Sequence, residues 1–247
     1  MLRKLEDIGM KTTALLLAGG RSSRMGKNKA LLPICGQPNI CNIQDELKLA
    51  ADDFLLITNT PEDYRFLHVP MIEDIYKDMG PLGGLHAGLS ASLTEINVIT
   101  ACDMPFINAN ILKRMISFSE DFDAVVPEIF GQLHPLFAVY RKSCLADLEK
   151  CLIDGKLSMA AFIDKLHVKI LKETDFEEYF QDETLFSYMF YNMNKPEDYS
   201  RAVAIEEALL EKPAGRMFFQ NEELSTDKSY EGQKLNDHPF MKHGGKR

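Results

Sequence analysis

The sequence predicts an α/β fold with a doubly wound, mostly parallel sheet of Rossmann-like architecture. Short apolar runs bounded by turn residues recur along the chain, and segments with helical periodicity lie between them. Alternation of strand and helix is typical of a sheet that helices cover on both faces. In such a sheet, ligands bind beyond the carboxyl ends of the strands.

Six apolar runs are predicted to be strands. The first three are nearly continuous in hydrophobic residues, as expected for parallel strands that are buried on both faces. The six runs are Thr12–Ala18, Asp53–Asn59, Asn97–Cys102, Asp123–Val126, Leu136–Tyr140 and His167–Leu171.

Four segments are predicted to be helices. Asn39–Ala51 repeats apolar residues at steps of three and four, which places them on one helical face. Leu82–Leu93 and Asn108–Phe118 follow the same pattern. A last helix begins at Pro196, because proline suits the first helical position and the two acidic residues after it face the positive end of the helix dipole.

The length of 247 residues is enough for one substantial core, which we predict to span residues 1–210. Residues 211–247 are rich in Asn, Gln, Lys and Gly and have no apolar period after two early phenylalanines. This composition predicts a flexible C-terminal tail.

The charge and the cysteines restrict the class of protein. The chain has 28 basic and 37 acidic residues, a net charge of −9, which argues against a general nucleic-acid or anionic-membrane surface. Its apolar run at Ala14–Ala18 is too short for the core of a signal peptide, and no stretch approaches a membrane span. Five cysteines occur without Cys-x-x-Cys spacing, as in a reduced protein. We expect a cytoplasmic protein with no nucleic-acid or membrane partner.

The loop after the first predicted strand has the character of a phosphate site. Leu17-Ala18-Gly19-Gly20 is followed by Arg21, Arg24, Lys27 and Lys29. Two glycines let the backbone approach a ligand closely, and four cations within nine residues supply charge-assisted bonds to phosphate oxygens.

Two common phosphate loops are excluded by spacing. A Walker A loop has four residues between its glycines and then Lys-Ser/Thr, whereas five residues separate Gly20 from Gly26 and Asn28 follows Lys27. The dinucleotide fingerprint Gly-x-Gly-x-x-Gly is absent after the first strand.

A second motif, Cys102-Asp103-Met104-Pro105, stands where the third predicted strand ends. A carboxylate at that position faces the ligand crevice of a parallel sheet. Magnesium is commonly held by one or two carboxylates together with phosphate oxygens and water, so one aspartate can suffice.

Together, the run from Leu17 to Leu32 and the Gly36-Gln37-Pro38 after it resemble the signature loop of sugar-phosphate and cofactor nucleotidyltransferases. Within that superfamily the chain most resembles the molybdenum cofactor guanylyltransferases, over about residues 12–207. The Leu-Ala-Gly-Gly corner favours guanine over the cytosine of relatives that carry Leu-Ala-Ala-Gly. The resemblance implies a Rossmann-like nucleotidyltransferase that transfers GMP from GTP to the terminal phosphate of molybdopterin and releases pyrophosphate.

The resemblance also implies roles for single residues. Arg24 and Lys29 would neutralise charge on the triphosphate, and Asp103 would bind Mg²⁺; these three are the expected catalytic residues. The residues expected at the nucleotide are Leu17, Ala18, Gly19, Gly20, Lys29, Asn59, Asp74 and Asp103. Those expected on the pterin side are Gly80, Pro81, Gly83, His134, Asn192 and Asn194.

Several points stay open at the level of sequence. The family's nucleotide-contacting asparagine aligns with Ile57 or Asn59, and a lone residue such as His134 is as readily structural. Lys195 stands where the family has threonine, which removes a good helix N-cap. A CTP-dependent molybdopterin cytidylyltransferase or another sugar- or cofactor-phosphate nucleotidyltransferase is the alternative enzyme. The other alternative is a non-catalytic nucleotide-binding protein that passes on the cofactor. Transient contact with cofactor-biosynthesis proteins or molybdoenzymes would suit either function.

Overall fold

The structure is a computed structural model that describes residues 10–19, 28–179 and 183–211, with the backbone alone at 178, 179, 210 and 211. Gly20 and Arg24 lie outside these residues, as does the predicted tail beyond Glu211. Its flexibility therefore stays a prediction. The chain divides into two units after Glu207, within the last helix.

Ten strands are present in the described part of the chain. They are β1 (Thr12–Leu17), β2 (Pro33–Ile34), β3 (Gln37–Pro38), β4 (Asp53–Ile57), β5 (Met71–Ile72), β6 (Ile96–Ala101), β7 (Ala124–Ile129), β8 (Gln132–Leu133), β9 (Phe137–Arg141) and β10 (Val168–Leu171). Eight of them form one sheet in the order β10-β7-β9-β6-β1-β4-β5, with β8 paired to β7, and β2 and β3 form a separate hairpin.

The sheet is mostly parallel, as predicted. β6, β1, β4 and β5 are parallel neighbours, and β7 and β10 form a second parallel pair. β9 runs antiparallel between β6 and β7 and joins the two parallel sets. All six predicted strands are confirmed, with ends that differ by at most three residues. The four two-residue strands were not predicted.

Seven α-helices lie in the described residues: α1 (Asn39–Ala50), α2 (Gly80–Ala91), α3 (Ala109–Ile116), α4 (Leu145–Ile153), α5 (Met159–Ile163), α6 (Glu183–Tyr188) and α7 (Pro196–Glu211). The four predicted helices correspond to α1, α2, α3 and α7. Helices α1 and α3 pack together, as do α2 and α4. Among the described residues, none of the helices has the length and apolarity needed to cross a bilayer.

Alternate residues of β1 explain the double winding. Leu15 and Leu17 pack with Leu85 of α2 in a core that extends to α4 and α5, while the intervening Leu16 is also completely buried. Successive side chains of a strand point to opposite faces, so both faces of β1 are covered. The near-continuous hydrophobic character of the strand follows from this double burial.

One edge of the sheet receives the segments that carry the predicted site. The parallel strands β1, β4, β5 and β6 all end there, and Gly19, Asn59, Asp74 and Asp103 follow them by two residues each. The fold therefore brings together four segments that are far apart in the sequence.

Candidate active site

At the end of β1, some backbone groups form hydrogen bonds with neighbouring segments of the sheet. The Ala18 N–H donates to the Ile57 carbonyl at 2.9 Å, and the Leu17 carbonyl accepts from the Cys102 N–H at 3.1 Å. Within the described residues, the Ala18 carbonyl and the Gly19 N–H have no such partner. Both groups lie at the strand end where the sequence predicts the nucleotide.

Asp103 stands on a strongly held turn after β6. The Asn39 Nδ2 donates to the Cys102 carbonyl at 2.8 Å, and the Met193 N–H donates to the Asp103 carbonyl at 2.8 Å. Burial raises the pKa of the Asp103 carboxyl above its ordinary value, while the charge of Lys29 and the residue's own backbone N–H lower it. No side chain in the described part of the chain donates a hydrogen bond to this carboxylate. Apart from the contact with its own backbone N–H, the described residues leave these oxygens open to a ligand.

Lys29 begins a short 3-10 turn, Lys29–Leu31, whose next residue, Ala30, is fully buried. Its ammonium donates to the Asn194 Oδ1 at 3.4 Å and is close enough to Asp103 to lower the pKa of that carboxyl. The structure thus brings together the cation and the carboxylate that the sequence singled out, although 74 positions separate them. An anionic ligand and a divalent cation can be held side by side at such a pair.

Asn59 and Asp74 form a reciprocal pair at the same edge. The Asn59 Nδ2 donates to the Asp74 Oδ2 at 2.8 Å, and the Asp74 N–H donates back to the Asn59 Oδ1 at 3.2 Å. The Lys77 ammonium also donates to the Asn59 Oδ1, at 2.8 Å. Asn59 therefore fixes the orientation of Asp74, and both of its amide ends are already engaged.

The glycines at the start of α2 have different roles. Gly80 is exposed and has a φ of +62°, and Pro81 beside it is also exposed. Gly83 is buried, and a Cβ there would lie 2.8 Å from the Tyr76 carbonyl. Gly83 allows the helix to approach the preceding loop closely, which is a packing role.

The residues predicted on the pterin side also have different surroundings. His134 is only 6% exposed, and its ring packs on Phe190 with centroids 5.1 Å apart. Burial lowers the pKa of His134 to about 4, so the imidazole is neutral near neutral pH. Asn192 donates to the Phe190 carbonyl at 3.3 Å, and Asn194 contacts Lys29. Asn194 thus lies beside Lys29, whereas His134 belongs to an aromatic cluster.

Lys195, which stands where the family has threonine, cannot cap α7 with its side chain. The carboxylate of Asp198 compensates for this loss from within the first turn of the helix. The Asp198 Oδ2 accepts from the Asn194 N–H at 2.6 Å and from the Lys195 N–H at 2.8 Å. This is the acidic half of a capping box, which satisfies backbone donors that a threonine would not reach. The segment that contacts Lys29 and Asp103 is therefore anchored to α7.

Three polar residues near the site were missed by the reasoning from sequence. Asn39 holds the turn of Asp103, Asp198 anchors the 193–195 segment, and Tyr64 accepts a hydrogen bond from Asn28 beside Lys29. The spacing of Asp198 after the predicted helix start is a detectable signal. Asn39 and Tyr64 act over long sequence separations, and no local pattern marks them.

Among residues 10–19, 28–179 and 183–211, no group of three or more His, Cys, Asp or Glu side chains is placed to bind a metal ion. A metal at this edge would need ligands from a bound substrate as well as from the protein. A single aspartate with free oxygens fits that arrangement, because Mg²⁺ usually keeps water and substrate phosphates among its ligands.

Comparison with known proteins decides the family. The family of MobA-like NTP transferase domains matches residues 14–169. The chain belongs to this family. The resemblance inferred from the loop and from the Cys-Asp-x-Pro motif is thereby confirmed, and the protein is a nucleotidyltransferase.

Two relatives and one solved structure illustrate the similarity. A probable molybdenum cofactor guanylyltransferase of Carboxydothermus hydrogenoformans is 37% identical over 193 residues, which cover 78% of this chain and 95% of that protein. A molybdenum cofactor guanylyltransferase of Desulfosudis oleivorans is 36% identical over 194 residues, 78% of this chain and 94% of that protein. The molybdopterin-guanine dinucleotide biosynthesis protein A of Archaeoglobus fulgidus has a TM-score of 0.68 at 24% identity, covering 79% of this chain and 99% of that one, and shares the fold.

Proposed function

We propose that this nucleotidyltransferase transfers GMP from GTP to the terminal phosphate of molybdopterin and releases pyrophosphate. The similarity to guanylyltransferases over nearly their whole length supports the reaction. The structural observation that carries the proposal is the pairing of Lys29 with Asp103 beside Gly19 at the carboxyl edge of the sheet. Arg24 and Gly20, which lie outside the described residues, keep their predicted roles at the triphosphate.

The chemistry requires charge neutralisation and alignment more than covalent catalysis. Transfer at a phosphorus atom depends on holding the attacking and leaving oxygens in line and on stabilising the charge between them. Lys29 supplies a positive charge to the triphosphate, and its ammonium also contacts the Asn194 Oδ1 at 3.4 Å. The attacking phosphate monoester is already ionised near neutral pH, so no general base is needed.

We further propose that activity depends on Mg²⁺ and that Asp103 is its protein ligand. A bound Mg²⁺ supplies neutralisation of phosphate charge and orientation of phosphate oxygens. Asp103 suits this role because its partly buried carboxylate has no side-chain donor in the described structure and is offset only in part by Lys29. Asp74, which Asn59 orients at 2.8 Å, follows β5 at the same edge of the sheet and would face the nucleotide.

The free backbone groups at the end of β1 support recognition of a base by hydrogen bonding. The Ala18 carbonyl can accept from a ring N–H or amino group, and the Gly19 N–H can donate to a ring carbonyl. Guanine offers both complements on one edge. The sequence Leu-Ala-Gly-Gly and the names of the relatives favour GTP over CTP. A cytoplasmic location remains our prediction.

Pyrophosphate release measured with GTP, CTP and ATP, each with molybdopterin and Mg²⁺, tests the proposal. Release with GTP that depends on both molybdopterin and Mg²⁺ is the expected result. Release with CTP but not with GTP would establish the cytidylyltransferase instead. Tight binding of GTP without any release would favour the non-catalytic protein that passes on the cofactor.

A further inference from the structure

A buried tyrosine contacts the turn that carries Lys29. Tyr64 lies on the 3-10 helix Pro61–Leu67, which follows β4, and its side chain is 2% exposed. Its hydroxyl oxygen accepts a hydrogen bond from the Asn28 Nδ2 at 2.8 Å. Burial raises the pKa of Tyr64 to about 12, so the hydroxyl stays neutral. A packed ring with a neutral hydroxyl is a rigid point of attachment.

Asn28 uses both ends of its amide, and the two ends serve different elements. Its Oδ1 accepts from the Ala30 N–H at 3.1 Å, which caps the 3-10 turn Lys29–Leu31 from within. Its Nδ2 reaches Tyr64, a residue 36 positions further along the chain. The amide therefore connects the turn that begins at Lys29, through the Ala30 N–H, to the segment after β4, which also carries Asn59.

We propose that Asn28 and Tyr64 are positioning residues that hold Lys29 toward the phosphates of the bound nucleotide. The proposal rests on the proposed function, in which the Lys29 ammonium binds the triphosphate. A lysine side chain is long and flexible, so the direction of its ammonium depends on how firmly its backbone is held. The contact between Lys29 and Asn194 is long, at 3.4 Å, and the side chain of Lys29 is only half-buried. Most of the restraint must then come from the turn and its attachment to Tyr64.

A purely structural role is the competing explanation. A buried hydrogen bond between Asn28 and Tyr64 would stabilise the fold whatever Lys29 does, and its loss would lower the melting temperature. The two explanations differ in one respect. If Tyr64 acts through Lys29, removal of the Tyr64 hydroxyl has no effect on nucleotide binding once the Lys29 ammonium is gone.

The experiment is a double-mutant cycle on the full chain, read out as the Kd of MgGTP by calorimetry and as kcat/KM for pyrophosphate release. Tyr64→Phe is expected to raise the Kd about fivefold to tenfold, the effect of one hydrogen bond, and Lys29→Ala about 50-fold, the effect of a charged partner. The double variant Tyr64→Phe/Lys29→Ala is expected to bind within about twofold of Lys29→Ala alone.

Two further variants separate the contact from general stability. Asn28→Ser keeps a good capping residue but is too short to reach Tyr64, so it should match Tyr64→Phe in Kd. Tyr140→Phe is the matched control, because Tyr140 is also fully buried and its hydroxyl donates to the Pro135 carbonyl at 3.0 Å. It should lower the melting temperature and leave the Kd of MgGTP unchanged.

The outcomes discriminate between the two proposals. Effects of Tyr64→Phe and Lys29→Ala that multiply in the double variant, or an unchanged Kd in Tyr64→Phe, would overturn the positioning role and leave the proposed function intact. Failure of the wild-type chain to bind MgGTP at all would overturn both.

Discussion

At the level of single residues, the feature that suits Asp103 to bind a cation also destabilises the ligand-free protein. Its carboxylate is partly withdrawn from water, receives no side-chain hydrogen bond in the described residues, and is compensated only by Lys29 and its own backbone. A charge in such surroundings destabilises the ligand-free protein, because the contacts with Lys29 and the backbone offset only part of the free energy of desolvation. The same carboxylate oxygens are the kind of ligand that a divalent cation requires.

Replacement of this charge should therefore move stability and activity in opposite directions. Asp103→Asn is expected to lower pyrophosphate release at least about 100-fold, since a charge-stabilising group is lost from the reaction site. In EDTA the same variant should melt at a higher temperature than the wild type. Thermal melts and the release assay measure both.

Asp121→Asn removes an equal charge from an exposed position and is the control, with both quantities expected to stay near wild type. Retained turnover in Asp103→Asn would show that the metal ligand lies elsewhere.

Gly83 provides a second test at the residue scale. A Cβ at this position would lie 2.8 Å from the Tyr76 carbonyl, a backbone atom, and 3.3 Å from the Met79 Cβ. We expect Gly83→Ala to lower the free energy of unfolding by about 1–3 kcal/mol, as overpacking does in a well-packed site. Urea denaturation measures the change.

Gly84→Ala is the comparison for this prediction. The added Cβ would meet the Leu17 Cδ2 at 3.1 Å, and a flexible side chain can yield where a backbone carbonyl cannot. The gain in helix propensity from glycine to alanine, about 1 kcal/mol, then nearly cancels the crowding. Equal losses at Gly83 and Gly84 would refute this account.

At the level of elements, two hairpins share a turn in which both central residues have positive φ. Cys35 and Gly36 join β2 to β3 with φ values of 54° and 76°, and Phe130 and Gly131 join β7 to β8 with 50° and 75°. This geometry matches the right-handed twist of paired strands, and glycine adopts it without strain. Cysteine and phenylalanine do not, so the first position of each turn carries strain.

Relief of that strain should stabilise the β7–β8 hairpin. Phe130 is 55% exposed, and its backbone N–H donates to the Glu173 carboxylate, a contact that any residue except proline preserves. Phe130→Asn is expected to raise the free energy of unfolding by about 1 kcal/mol, because asparagine tolerates the left-handed region. Phe130→Leu, which keeps the strain, should give no gain in the same urea titration. Equal stability of the two variants would assign the effect to lost exposed apolar surface.

The strands that were predicted from the sequence are longer than those that were missed. β1 and β6 are six-residue runs buried on both faces, and β4 is a five-residue run buried toward its end, so their hydrophobic character is nearly continuous. β2, β3, β5 and β8 have two residues each, too few to display a period. Their existence depends on a neighbouring strand or on a turn with positive φ, and a linear pattern does not contain that information.

The site was predictable to the extent that its residues follow strand ends. Asp103 could be placed because a buried run ends directly before it, and Lys29 because cations cluster beside a glycine turn. The contact of Asn28 with Tyr64 could not be placed, because the order of strands in the sheet decides which segment lies beside the turn. The packing role of Gly83 was hidden for the same reason.

At the level of the whole molecule, buried neutral histidines link stability to pH. His134 is 6% exposed and His86 is 4% exposed, and burial lowers the pKa of both below the ordinary value of 6.5, that of His134 to about 4. In the unfolded chain these imidazoles take up a proton near pH 6.5, and in the folded chain they do so only at lower pH. Stability is therefore full above about pH 6.5 and is lost as the pH falls toward 4.

The expected size of this effect for His134 alone is ~3 kcal/mol between pH 6.5 and pH 4. His134→Phe keeps a ring against Phe190 but cannot bind a proton, so the free energy of unfolding should depend less on pH over this interval. Urea titrations at half-unit steps of pH provide the measurement. His68→Asn, at an exposed position, should leave the wild-type slope unchanged. A His134→Phe variant with the wild-type slope would contradict the assignment.

The reversed direction of β9 determines where the chain can accept insertions near Asp103. Because β9 is antiparallel to both of its neighbours, the chain returns from β7 to β9 through a short hairpin rather than through a helix that crosses the sheet. That return lies on the same rim as Asp103. An insertion in it would lengthen the rim without displacing a helix or altering the order of strands. We therefore expect this rim to accept longer loops while the turns after β1, β4, β5 and β6 keep their positions.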